Sequence, residues 1–287
     1  MLIQAPAIAG RTYVAGLING CASNKEITEL GEVYLGQFVD YLRAPRAPRT
    51  PRTPPMPLPT GAGADHILPA PTSHTEAKKQ ALIRDNYRCM LTGAVDNDAV
   101  KFMPGLRSEA INTKAAVRIT GCCNILPQYG GYDDMDEFNY PDTTLWQLVY
   151  LFGGVSESQL GEHGVHGLGN VLTLEYGLRS IFDGFDIWLE PTGEADNQYF
   201  IKGQEESDCR GLPERVTFYS SFPGLELPSP QYLSVHAAFA RVIKLSGASR
   251  IIARIIRDLE NNRVLSWNGS SAQVLNQLLS AETLKAF

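Results

Sequence analysis

The stretch Arg84-Asp85-Asn86-Tyr87-Arg88-Cys89-Met90-Leu91-Thr92-Gly93 marks the place where a helical pattern gives way to a β-rich one. Residues 76–87 have helical character, and Met90-Leu91-Thr92-Gly93 reads as a short strand ending in a turn at the glycine. Two later segments complete an ordered set. Cys122-Cys123-Asn124-Ile125-Leu126-Pro127 ends a β-rich run over 117–125, with Pro127 closing it. Gly169-Asn170-Val171-Leu172-Thr173-Leu174 reads as a strand or the start of a helix. It runs on to Leu178-Arg179-Ser180-Ile181-Phe182-Asp183.

Outward from this set the pattern is mixed. Ile27, Leu30, Val33, Tyr34, Phe38 and Leu42 recur at helical spacing and predict a helix over 24–42. Ser23 or Asn24 is its expected cap, with Glu26 and Glu29 in the first turns. Prolines then become too dense for a helix or a central strand, and a solvated linker is expected over 44–74. Its Arg46, Arg49 and Arg52 make it a basic spacer. A helix is expected over 143–152, capped by Thr143 or Thr144, and a strand over 185–189. Weaker strand signals surround Phe200 and 216–219, and three closing helices are expected over 231–245, 248–261 and 272–286. The fold class is therefore α+β, with helices at both ends of a small β core. Four units are expected: an N-terminal helical segment 1–43, the linker 44–74, a core 75–228, and a C-terminal helical extension 229–287 packed on that core.

Composition narrows the partners. The 287 residues are 44% hydrophobic and 20% charged, enough for a substantial core. The net charge of -6 argues against nucleic acid, whose phosphates call for a basic face. Five cysteines is an odd number in a long chain, so a disulfide framework is not expected and a reducing, cytoplasmic setting is. The start lacks a basic n-region and carries Arg11 and Asn19, so no signal peptide is expected. No run of about 18 apolar residues predicts a membrane span.

The ordered set resembles the HNH endonuclease domain as it occurs in many fungal proteins. There the run is RD-x-Y-x-C-x-x-TG, then A-H-I-x-P, then N-x-L-x-L, and finally L-H-x-x-F-D. Pro230-Gln231-Tyr232-Leu233-Ser234-Val235-His236-Ala237-Ala238, followed by Leu245-Ser246-Gly247-Ala248, is similar to the helical extension of those proteins. The resemblance covers the chain from about Glu76 onward. It implies a ββα-metal core, in which one His activates water and a second His, on the helix, binds a divalent ion. Both are replaced here. The base position is Asn124, whose amide has no useful basicity, and the helix ligand is Arg179, a fixed cation that repels a metal. The resemblance leaves Asn170, which holds the hairpin, and Asp183 in place. A degenerate HNH-like core is therefore expected.

Such a cleft would carry Asn124, Arg179 and Asn170 as its reactive set, with Asp183 beside them. Tyr129, Tyr132, Trp146, His163, His166, Tyr176 and Asp183 are expected to bind substrate; the Gly-centred run 129–134 reads as a lid loop. For Trp146 and Trp188 core packing competes with this role, and for His236 helix packing does. His163, His166, Cys122 and Cys123 are the alternative ion ligands, but adjacent cysteines on a strand point to opposite faces. No metal and no cofactor is expected. The expected function is an enzyme of fungal secondary metabolism acting on a small organic molecule. A cyclisation such as a Diels–Alder reaction needs shape and hydrogen bonds more than acid–base power. The alternatives are a nuclease with displaced ligands and a non-catalytic pseudo-nuclease that binds nucleic acid or protein.

Overall fold

The structure, a computed structural model, describes residues 1–43, 68–126, 148–156, 159 and 166–252. Residues 44–67 of the expected linker, 253–261 of the helix expected over 248–261, and the helix expected over 272–286 lie outside the described residues. The linker expected to run to residue 74 ends earlier, since His74 already opens a helix. Two helices open the chain, α1 (Ile8–Gly20) and α2 (Asn24–Arg43). Side chains cap the expected start of α2. Ser23 Oγ accepts the Glu26 N–H at 3.3 Å, and Glu26 Oε2 accepts the Ala22 N–H at 2.8 Å. α1 has no counterpart in the sequence reading, because its apolar residues form no clear stripe. It is held instead by close approach: a Cβ on Gly10 would lie 2.3 Å from the Phe152 carbonyl oxygen. That oxygen belongs to a π-helical turn, Leu148–Phe152, which is the described part of the helix expected over 143–152.

α3 (His74–Arg84) is capped by Ser73, whose side chain accepts the Glu76 N–H. The chain then turns through Asn86 and Tyr87, at φ 50° and 57°. Residues 90–93 are a turn, not the expected strand. Gly93 takes φ 71° and donates its N–H to Cys89 O at 2.9 Å, which closes the chain on itself before it can pair. The strand forms just beyond: β1 (Val95–Asp96) pairs in parallel with β2 (Val117–Arg118). Between them lie α4 (Asn97–Phe102) and α5 (Pro104–Thr113). Asp96 caps α4 by accepting the Ala99 N–H at 2.8 Å, and Pro104 opens α5.

β3 (Thr120–Asn124) and β4 (Val171–Glu175) form an antiparallel pair in which Asn124 faces Val171 and Thr120 faces Glu175. α6 (Tyr176–Asp183) follows β4 directly and packs against both strands. A three-stranded antiparallel sheet follows, β5 (Ile187–Pro191), β6 (Gln198–Gly203) and β7 (Arg215–Thr217). α7 (Pro230–Ser246) lies on β5 and ends at Gly247, in the left-handed conformation at φ 67°. The architecture is thus mixed α and β with small sheets, and helices stand at both ends.

One core joins the two ends. Val14, Phe38 and Val39 are buried with Leu172, Phe182, Trp188 and the inner face of α7. Phe38 meets Phe239 edge-on at 5.5 Å, and Arg241 reaches both Gln4 (2.6 Å) and Glu190 (3.0 Å). The first 43 residues therefore pack on the core rather than stand apart from it.

The deepest polar feature is Arg84, fully buried. It meets Asp85 through two hydrogen bonds, Nε to Oδ1 at 2.7 Å and Nη2 to Oδ2 at 2.9 Å. Its remaining donors reach the carbonyls of Leu168 (2.9 Å), Val171 (2.9 Å) and Glu226 (3.1 Å). Burial raises the Asp85 pKa, against the downward pull of Arg84 and Thr173. Asp85→Asn should cost about 3–5 kcal/mol in urea unfolding, because it leaves the guanidinium buried without its counter-charge. A loss below about 1 kcal/mol, the range of a surface pair, would contradict this placement. Gly10→Ala should cost about 1–3 kcal/mol and expose the first 43 residues to limited proteolysis, by forcing α1 off the Phe152 carbonyl.

Candidate functional site

Strand alternation divides the expected site between two faces of β3. Cys122 packs with Ala77 and Ala81 of α3 and with Val171, the cross-strand partner of Asn124. Asn124 shares that face, because residues two apart on a strand point the same way. α6 covers the other face. Cys123 Sγ donates to Asp183 Oδ1 at 3.3 Å, and a Cβ on Gly121 would lie 3.7 Å from the Tyr176 ring and 4.0 Å from Arg179 Nη1. Tyr176, Arg179 and Asp183, spaced i, i+3 and i+7, are one stripe of α6 facing β3.

The Arg179 guanidinium links the two faces electrostatically. Arg179 Nε meets Asp183 Oδ2 at 3.4 Å, with both side chains mostly buried. Its charge is also felt on the α3 side. The His74 imidazole is pulled down to about 4, first by burial and then by the cations Arg179, His166 and Lys78. The Cys122 thiol is pushed up to about 12 by burial, with Arg84, Arg179 and Lys78 pulling the other way. Cys122 therefore stays a thiol at neutral pH. His166 also acts on Glu76, whose pKa falls mainly through its hydrogen bonds from Thr72.

Among the described residues, the buried Oδ1 and Nδ2 of Asn124 and the buried Nε2 of His74 have no hydrogen-bond partner. His74 is only 8% exposed. Sequence reasoning missed it, since it lies just before the expected helix and belongs to none of the family-like motifs. Asn170 behaves differently. It is fully buried, and its amide is spent on Leu126: Oδ1 accepts the N–H at 2.9 Å, and Nδ2 donates to the carbonyl at 3.1 Å. Its own carbonyl accepts the Ile125 N–H at 2.9 Å. Asn170 holds the chain that leaves β3.

Tyr129, Tyr132, Trp146 and His163 lie outside the described residues. Trp188 and His236 belong to the core. Trp188 donates to Glu190 at 2.8 Å, and His236 stacks on Phe182 at 3.9 Å with its Nε2 3.0 Å from Phe182 O. Cys122 and Cys123 face opposite ways, and among the described residues no three His, Cys, Asp or Glu side chains are grouped to hold an ion. An open depression of about 400 Å³ lies between Asn97, Arg118, Glu175 and Tyr176. Of the expected site residues only Tyr176 lines it, so it does not gather the set. Among the described residues no helix is long and apolar enough to cross a membrane. No family model matches the chain, and no curated protein or solved structure is similar to it.

The depressed His74 pKa has a stability consequence. Below about 6.5 the unfolded imidazole takes up a proton that the folded one refuses until about 4. His74 thus contributes no penalty above pH 6.5 and a growing one as the pH falls toward 4. His74→Gln should make the loss of stability between pH 7 and pH 5 smaller by on the order of 1–2 kcal/mol in urea titrations. Equal losses in both proteins would contradict the buried neutral imidazole.

Proposed function

We propose that this chain is a converted HNH-type protein that acts on a small organic substrate through hydrogen bonds and shape, without hydrolytic chemistry. The observation that carries the reading is Asn124: both atoms of its amide are buried and without partners, at the position where an HNH nuclease keeps its base. Buried amide atoms are costly to leave unpaired, so a site that keeps them calls for a ligand or an ordered water. The strand–strand–helix order of β3, β4 and α6, and the grip of Asn170 on Leu126, support the resemblance that places Asn124 there. The chemistry of the pair supports the conversion. An amide takes no proton from water, and the Arg179 charge, already beside Asp183, opposes a second cation.

A desolvated donor such as the Asn124 amide suits the polarisation of a carbonyl group. Holding two reactive parts of one molecule together lowers the entropic part of a cyclisation barrier. A pericyclic cyclisation in secondary metabolism is the reaction class we assign to such a site. The acidic net charge of -6 favours this over binding to nucleic acid.

The test has two arms. The protein is incubated with a small-metabolite extract, desalted and denatured, and the released compounds are read by mass spectrometry. Wild-type protein should retain a compound that Asn124→Ala and Arg179→Ala retain roughly tenfold less. Plasmid DNA should stay intact with added Mg²⁺, Mn²⁺ or Zn²⁺. Equal retention by the variants, or metal-dependent cleavage, would overturn the reading.

A further inference from the structure

The buried amide of Asn124 also specifies what it can bind. Its Oδ1 only accepts, its Nδ2 only donates, and both are without partners among the described residues. A carboxylate or an ester presents acceptors alone. Either would satisfy Nδ2 and set an oxygen against Oδ1. An ammonium presents donors alone and fails in the opposite sense. A cis-amide edge presents one N–H and one C=O side by side, the complement of the Asn124 pair. Asparagine reads the donor–acceptor edge of adenine through the same two-bond geometry.

The surroundings favour a neutral group. Arg179 already stands against the Asp183 carboxylate at 3.4 Å, so its charge is matched. His74, depressed to about 4, is uncharged at neutral pH and offers Nε2 as one more buried hydrogen-bonding atom on the α3 side. Cys122, between α3 and the strand pair, remains a neutral thiol. The α3 side of β3 is dry: Cys122, Ala77, Ala81 and Val171 are all buried there. In such a place an unmatched ligand charge is expensive and a matched pair of hydrogen bonds counts for more than in water.

We propose that the Asn124 site takes a small neutral molecule through a lactam or other cis-amide edge. The ligand N–H donates to Oδ1, and Nδ2 donates to the ligand carbonyl. This rests on the small-molecule reading above and names the functional group that such a molecule carries.

The test uses the full-length ¹⁵N-labelled protein and four probes: δ-valerolactam, its N-methyl derivative, δ-valerolactone and valerate. The Asn124 side-chain NH₂ signals are identified by their loss in Asn124→Asp and followed by NMR during titration. δ-Valerolactam should shift them saturably. The other three should bind at least about tenfold more weakly, because each keeps an acceptor but lacks the N–H donor that Oδ1 needs. Asn124→Asp should abolish the preference for the lactam, since an ionised carboxylate only accepts. Equal binding of the N-methyl compound overturns the proposal, and so does the absence of any saturable shift, which would leave water as the partner of the amide. Tighter binding of valerate at Asn124 overturns the lactam assignment while leaving the small-molecule function standing. Metal-dependent plasmid cleavage is the separate result that removes that function.

Discussion

The ion pair between Arg84 and Asp85 is the constraint on which the rest of the structure depends. Neighbours in sequence, they are buried at the C-terminal end of α3, where the guanidinium spends its donors on Asp85 and three backbone carbonyls. Those carbonyls come from Leu168, Val171 and Glu226, so one side chain fixes α3 against the start of β4 and against the segment that leads into α7. A buried pair of this kind is not a large net source of stability, but it is intolerant of losing one member. It acts as a register device. With Leu168 and Val171 held, Asn170 between them can clamp Leu126, and β3 is set against β4 with Asn124 opposite Val171.

The geometry beyond that pair follows from packing. α6 follows β4 without a loop and lays Tyr176, Arg179 and Asp183 along β3. Phe182 of the same helix stacks on His236 of α7, which joins the strand pair to the larger core. The two faces of β3 therefore meet different worlds. One faces α3 and the smaller core, and the other faces α6 and the larger one. The Arg179 charge is sensed on both.

Much of this frame is legible in the amino-acid order, and the exceptions have physical causes. α2 and α7 carry long apolar stripes and side-chain caps, and both lie where their spacing predicts. β4 and β5 are found within two residues of the expected places, and the β-rich run over 117–125 divides into β2 and β3. α1 is illegible because Gly10, whose lack of a side chain lets it dock, lowers rather than raises helical propensity. α4 and α5 are short and carry no strong stripe; their signals are only the Asp96 cap and Pro104. The strand expected at 90–93 is lost to a turn, since Gly93 goes left-handed before any pairing forms. In the site, the replacements Asn124 and Arg179 are visible from motif positions alone. Their division between two faces is not, because it depends on the register of β3 and β4. His74 is invisible in the sequence, because its significance comes from burial and from charges distant along the chain.

On the proposed reading, the site is a pair of replacements rather than a pair of losses. Where an HNH nuclease would need a basic nitrogen, Asn124 buries a donor and an acceptor, and where it would need an ion ligand, Arg179 is a cation paired with Asp183. The most direct measurement of that conversion is calorimetric titration of the purified protein with Mn²⁺. The account predicts no saturable heat, and the same trace for wild type and Asp183→Asn. One-to-one binding in the wild type that disappears in Asp183→Asn would contradict it, because the cleft would then still hold the ion on which hydrolysis depends.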